Sequence, residues 1–383
     1  MGAFLLAMHA YRWFAAATLV FPPTAALWLR MIAGRCATPQ QRARWVGYTR
    51  WLSLLMTLAV PVWWSLFLFV NKADAAFIDS APRSFLALPL AISVMIARMV
   101  TFRANAKVFE KQWTGRDILR LAFWRTVSST VALVLVAAAL EDLYSGRLAG
   151  FALMFVAGAA ALIGKIQLNA AEGLTPRPVK SGELYKRSVV MSKRMGVHLR
   201  RVCVVPFGRG KLTNAYAGGA QIAVTDDYGH WLHGAELDFV IGHELSHIKH
   251  KDAVNQLMVV ASMFVALGAA TFFLPRMPLS LRIIFNFGAI LIPLVALYAL
   301  SRRYEYAADR SAVEATGEPE AGIHSLVSLY RRCGVPDEQS RFIELFSTHP
   351  ALWPRVAAIA RVGRVSPEYI SNIRAGFAGI SAD

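Results

Sequence analysis

About seven stretches of this chain, at residues 4–30, 51–70, 84–101, 118–140, 148–168, 253–274 and 281–301, are apolar and poor in charge. Each is close to the length of about 20 residues that carries a helix across a bilayer core. A water-soluble fold would have to hide all of them. With 383 residues, 17% of them charged, and a mean hydropathy of +0.43, the chain has too little polar surface to do so. The expected class is therefore mainly α: a multi-span membrane protein of about seven helices. Prolines at 22, 23, 89 and 293 fall inside three of the runs, which spanning helices tolerate when neighbours satisfy the freed carbonyls. The first run does not read as a cleaved leader, because its early cation, Arg12, sits inside the apolar stretch rather than before it.

A net charge of +17 invites a nucleic-acid reading, so the placement of the cations decides. If seven helices alternate across a membrane, one side holds the loops 31–50, 102–117 and 169–252 and the C-terminal tail. Counting the flanking ends of the runs with their nearest loops, that side carries 34 of the 41 Lys and Arg. The opposite side carries six (Arg12, Lys72, Arg83, Arg147, Arg276, Arg282), and Arg125 lies within a run. This bias marks the cation-rich side as cytoplasmic, and a cell (inner) membrane is the expected location. Without a basic–aromatic module, no nucleic-acid partner is expected. Cys36, Cys203 and Cys333 have no zinc-ligand spacing and read as reduced thiols.

The chemistry-bearing motif is His243-Glu244-Leu245-Ser246-His247. On a helix, positions i and i+4 share a face, so both imidazoles address one locus. Glu244, beside the first, is then placed for water at a metal rather than for the metal itself. A catalytic zinc needs a third protein ligand. Candidates on the same membrane side lie in Ser301-Arg-Arg-Tyr-Glu305-Tyr-Ala-Ala-Asp309-Arg310, where Glu305 and Asp309 also share a helix face. One could bind the metal while the other orients a histidine. Equally, both acids could pair with Arg302, Arg303 and Arg310 on a solvated surface, and spacing alone leaves this open.

Taken in order, four motifs resemble the membrane zinc metallopeptidases that include the CAAX prenyl endopeptidases and the HtpX-type proteases. They are Thr213-Asn214-Ala215-Tyr216-Ala217, the His-Glu-x-x-His helix, Glu305-x-x-x-Asp309, and Thr348-His349-Pro350 with Arg355. The resemblance implies one Zn2+ per chain held by His243, His247 and Glu305, and Glu244 as general base. It implies Asp309 behind a histidine, Asn214 along a substrate cleft, and His349 and Arg355 lining the site, with His349 or the Asn214 amide assisting an oxyanion. It disfavours His250 as a ligand. The implied partners are a protein or peptide substrate and the lipid bilayer; the oligomeric state stays open.

Four segments follow: a membrane block of about five spans at 1–168, a first part of the peptidase domain at 169–252, a spanning hairpin at 253–301, and a second part of the peptidase domain at 302–383. Because two spans separate 169–252 from the tail, both fall on one side and can fold together as a zincin-like α+β domain. Gly173–Pro178 reads as a linker, 181–195 as a helix, and Leu199–Pro206 and Gln221–Thr225 as strands. The second strand is the expected docking edge for an extended substrate. Residues 235–252 read as a helix continuing into the sixth run. A competing class is a seven-span transporter or receptor with a structural or vestigial metal motif, which membrane-depth Arg98, Arg125 and Lys165 would suit.

Overall fold

A computed structural model describes residues 20, 23–32, 34–35, 83–108, 111–144, 146–172, 175–206, 213–273, 279–333, 337–338, 344–345 and 347–379. The second apolar run, most of the first, and Cys36 lie outside the described residues. The chain forms two compact units. The first comprises residues 1–37, 41–172 and 264–290; the second comprises 38–40, 173–263 and 291–383.

The described part of the first unit is helical: residues 23–32, α1 (Arg83–Val108), α2 (Gly115–Thr126), a π-helical turn (Val127–Val131), α3 (Ala132–Tyr144) and α4 (Ala149–Ala171). Thr114 starts α2 with a capping box: its hydroxyl accepts from the Asp117 N–H, and the Asp117 carboxylate accepts from the Thr114 N–H at 2.8 Å. This satisfies two of the amides a helix start leaves open. Val136, Ala157 and Leu267 pack together inside, while Phe151, Phe155, Leu162, Ile163 and Ile166 stand exposed along α4. An apolar outer face suits lipid as the surrounding solvent. Among the described residues, Gly115–Val136, Ala149–Ala171 and Asp252–Thr271 are long and apolar enough to cross a membrane.

The second unit contains a four-stranded sheet with α-helices packed against it. Its elements are β1 (Arg177–Val179), α5 (Glu183–Met195), β2 (Arg201–Val205), β3 (Ala215–Gly218), β4 (Gln221–Thr225) and α6 (Gly234–Lys249). After α7 (Asp252–Phe273) and α8 (Leu279–Thr316), which also run through the first unit, come α9 (Pro319–Arg332), α10 (Leu352–Gly363) and α11 (Pro367–Gly379). The strand order is β1-β2-β4-β3, with β2 and β4 parallel and both outer pairs antiparallel. Two expectations change here. Part of the presumed linker is strand β1, and Gln221–Thr225 is an interior strand, hydrogen-bonded on both edges and so unable to accept another. Among the described residues, the free edge beside it is β3.

Helix α6 lies between two cores. Leu237, Ile241 and Leu245 pack with Met191, Val202, Ile222 and Val224, and Phe239 packs with Ala312, Ile323, Leu326, Leu352 and Val356. Fully burying each such side chain contributes roughly 1.5–3 kcal/mol, so the apolar positions hold rigid a helix that must also carry His243, Glu244 and His247. The helix does not continue into the sixth run. It ends at Lys249, Lys251 takes φ +56°, and α7 begins at Asp252. The Asn255 amide donates to the His250 carbonyl at 2.9 Å and supplies a partner at the end. No Gly or Pro announces this break, which is why the pattern read as continuous.

Candidate metal centre

The approach of α6 and α8 builds the site. Gly242 faces α8: a Cβ there would lie 3.3 Å from the Ala312 Cα. With Ala308 and Ala312 fully buried on α8, the two helices come close enough for their polar residues to meet. His243 and His247 then turn their Nε2 atoms toward each other, 3.2 Å apart. Glu305 closes the group, with Oε2 at 3.6 Å from His243 Nε2 and Oε1 at 3.8 Å from His247 Nε2. One donor atom from each of the three residues lies within 4.8 Å of the others.

The outer nitrogen of each ring is held by its own acid. His243 Nδ1 meets Asp309 Oδ1 at 2.9 Å, and His247 Nδ1 meets Asp252 Oδ2 at 2.7 Å. An ionised carboxylate only accepts, so each Nδ1 carries a proton and each Nε2 is the ring atom left to face inward. Arg355, buried, donates from Nε to Asp309 Oδ2 at 2.8 Å and from Nη2 to Asp309 Oδ1 at 2.7 Å, and its Nη1 lies 3.2 Å from Glu305 Oε2. His349 Nδ1 lies 3.0 Å from Glu305 Oε1, and its side chain is 62% exposed, so it stands at the mouth.

Charge and spacing together fit a divalent cation. Glu244, Asp252, Glu305 and Asp309 are all buried, against the single guanidinium of Arg355. Two inward lone pairs at 3.2 Å repel unless a cation or proton lies between them. Tetrahedral zinc with bonds of about 2.0–2.2 Å sets its ligand atoms about 3.3–3.6 Å apart, close to the separations found.

The environment shifts each acid in its own direction. Burial pushes Glu305 up, but Arg355, His349 and His243 outweigh it and hold the carboxyl well below the usual range. Asp309 is also held low, burial being overcome by Arg355 and His243. Glu244 goes the other way: burial raises it more than His243 and His247 lower it. Among the described residues no hydrogen bond or ion pair holds the Glu244 carboxylate, so it is poised for a small partner.

The profile of Peptidase family M48 matches residues 178–362, which contain every residue of this cluster. The protease HtpX homolog of Pyrococcus abyssi is 30% identical over 214 residues, covering 45% of this chain and 70% of the relative. That of Thermococcus kodakarensis is 30% identical over 226 residues, covering 49% and 74%. The chain belongs to peptidase family M48. The crystal structure of S. mikatae Ste24p shares its fold, with a TM-score of 0.52 at 16% identity over 90% of this chain and 97% of that one.

This M48 chain is thus a membrane metallopeptidase by family. Its fold brings His243, His247, Glu305, Asp309, Arg355 and His349 into one cluster, with Glu244 beside it on α6. Asn214 takes a local part. Its Oδ1 accepts from the Ala215 N–H at 3.0 Å and its N–H donates to Thr225 Oγ1 at 3.1 Å. Among the described contacts, none links Asn214 to the imidazoles. His250 faces Ser246 Oγ at 3.1 Å and stays outside the donor set. Arg302, which could have neutralised Glu305, instead donates to the Glu344 and Ser347 carbonyls at 2.7 and 2.9 Å and fastens the approach to His349. Arg310 pairs with Glu314. Sequence reasoning missed Asp252. Its only signal was an acid five residues past His247, which a continuous helix would have turned away from the ring.

Proposed function

We propose that this M48 peptidase is a zinc-dependent endopeptidase integral to the membrane, with His243, His247 and Glu305 holding one Zn2+ and Glu244 acting as general base. One observation carries the reading: two imidazoles with carboxylate-bound outer nitrogens turn their inner nitrogens onto one point, with Glu305 closing the third side. Bound zinc would supply a Lewis acid that acidifies water and polarises a peptide carbonyl.

The chain's own groups supply the rest. Asp309 and Asp252 fix the ring tautomers and orientations. Arg355 clamps Asp309 through two hydrogen bonds and keeps Glu305 ionised beside it. Glu244, with its raised proton affinity and no competing partner, takes the proton of the attacking water and returns it to the leaving amine. His349, exposed at the mouth, is the candidate donor to the developing oxyanion.

An extended substrate adds to β3. Asn214 pairs with Thr225 through the Thr225 N–H to Asn214 O bond of 3.0 Å. Antiparallel alternation then turns the Ala215 and Ala217 backbone groups to the free edge. The Asn214 side chain already occupies the Ala215 N–H, leaving the Ala215 carbonyl and both Ala217 groups to read a peptide backbone.

The seven-span topology with a cytoplasmic catalytic domain rests on the apolar runs and the cation bias. Processing of a defined substrate and clearance of misfolded membrane proteins use the same chemistry. Mass-spectrometric mapping of membrane-protein fragments in cells carrying wild type or Glu244→Gln separates the two. Fragments from one or a few proteins indicate processing, and a broad set indicates clearance. Identical fragment patterns in both strains would end the proposal.

A further inference from the structure

The first unit contains a charge that the peptidase chemistry does not use. Arg98, on α1 within an apolar run, is only 8% exposed. Its Nη2 donates to Ser129 Oγ at 2.7 Å, but its Nη1 is buried and, among the described residues, without a partner. Ser129 cannot balance the charge, because its own hydroxyl donates to the Arg125 carbonyl at 2.9 Å. Among the described residues no carboxylate pairs with Arg98, and its charged neighbour is a second cation, Arg125. Thr130 Oγ1, on the same π-helical turn as Ser129, is likewise buried without a partner.

The arrangement is built rather than loose. The π-helical turn Val127–Val131 brings the Ser128 and Ser129 hydroxyls onto the Arg125 carbonyl. Gly164 of α4 presses on it from behind, where a Cβ would stand 2.6 Å from Ser128 N. Such turns occur often at functional sites. A guanidinium stays charged, and an unpaired buried charge is strongly destabilising. Water can fill a hydrogen bond but cannot neutralise two cations; an anion can do both.

Position indicates the source of the anion. Arg125 is exposed on a candidate span, on the same helix as the exposed apolar Leu119 and Phe123, so the opening faces the surroundings of the bundle rather than its interior. Arg98 lies five residues before Arg103, and Arg125 five residues after Arg120, the first cations met from each toward the turn between α1 and α2. Five helical residues span about 7.5 Å, roughly the reach of one arginine side chain toward the interface. We propose that Arg98 and Arg125 form an anion site that takes the phosphate group of a membrane lipid.

The test uses the full chain in a neutral detergent, stripped of lipid and titrated with phosphatidylglycerol in one arm and inorganic phosphate in the other. Native mass spectrometry and thermal unfolding are the readouts. Wild type retains a phospholipid through mild stripping and melts several degrees higher when lipid is returned. Arg98→Gln and Arg125→Gln lose both responses while cleaving a soluble peptide at the wild-type rate. Arg125 is exposed, so its variant reports even if Arg98→Gln fails to fold. Saturable stabilisation by inorganic phosphate that requires both arginines also supports the anion site, with a soluble ligand as its source. Equal lipid retention and equal stabilisation in wild type and variants overturns the proposal, as does a wild type indifferent to both ligands.

Discussion

Asp252→Asn is expected to weaken zinc binding while leaving the fold intact. The Asp252 carboxylate accepts a 2.7 Å hydrogen bond from His247 Nδ1 and is 5% exposed, so its charge acts on the ring with little screening. Asparagine keeps the size and one acceptor but removes the charge that makes His247 a stronger donor to a metal. Losing such an outer partner lowers metal affinity about 10- to 100-fold, or about 1.4–2.8 kcal/mol. The His247 side chain is 20% exposed, so water can partly replace the lost partner, and the lower end of the range is expected. Asp309 offers an internal comparison. It is 1% exposed and also holds Arg355, so Asp309→Asn should reach the upper end and lower the melting temperature as well. Competition against a chromophoric chelator gives the affinities, and circular dichroism melting gives the stabilities. Wild-type zinc affinity in a folded Asp252→Asn protein would refute the reasoning.

Other perturbations probe other parts of the account. Arg355→Met leaves Asp309 and Glu305 buried without their cation and should destabilise the protein by about 3–5 kcal/mol, read from denaturant melts. Gly242→Val drives a side chain against the Ala312 backbone; overpacking of about 1–3 kcal/mol, accompanied by weaker zinc binding, is expected from calorimetry and chelator competition. Ala217→Pro removes one outward N–H from β3 without touching its bonds to β4. The loss of about 1 kcal/mol should raise KM several-fold with kcat nearly unchanged in peptide kinetics.

The histidine pair was legible because four residues make one helical turn, a relation internal to α6. The division of labour between Glu305 and Asp309 was not, since both share a face of α8 and either suits either role by spacing. Which acid meets an inner or an outer nitrogen depends on how α6 and α8 approach, and that is set by contacts such as Gly242 with Ala312, between residues 70 positions apart. Asp252 was hidden for a different reason: the left-handed Lys251 turns the chain so that an acid five residues on returns to the ring. The strand Gln221–Thr225 was visible in its valine- and isoleucine-bearing pattern, yet alternation does not say which strand is the edge. That awaited the parallel pairing of β2 with β4, which leaves β3 outermost. Apolar length revealed helices at the third to seventh runs, but not the π-helical turn of the first unit or what Arg98 faces.

X-ray absorption at the zinc edge of the purified full chain tests the assignment of the metal centre most directly. One zinc per chain, bound by two imidazole nitrogens and carboxylate or water oxygens at about 2.0–2.2 Å, and lost in a folded His247→Ala variant, is the predicted result. A chain that purifies without stoichiometric metal, or a spectrum dominated by sulfur ligands, would contradict it.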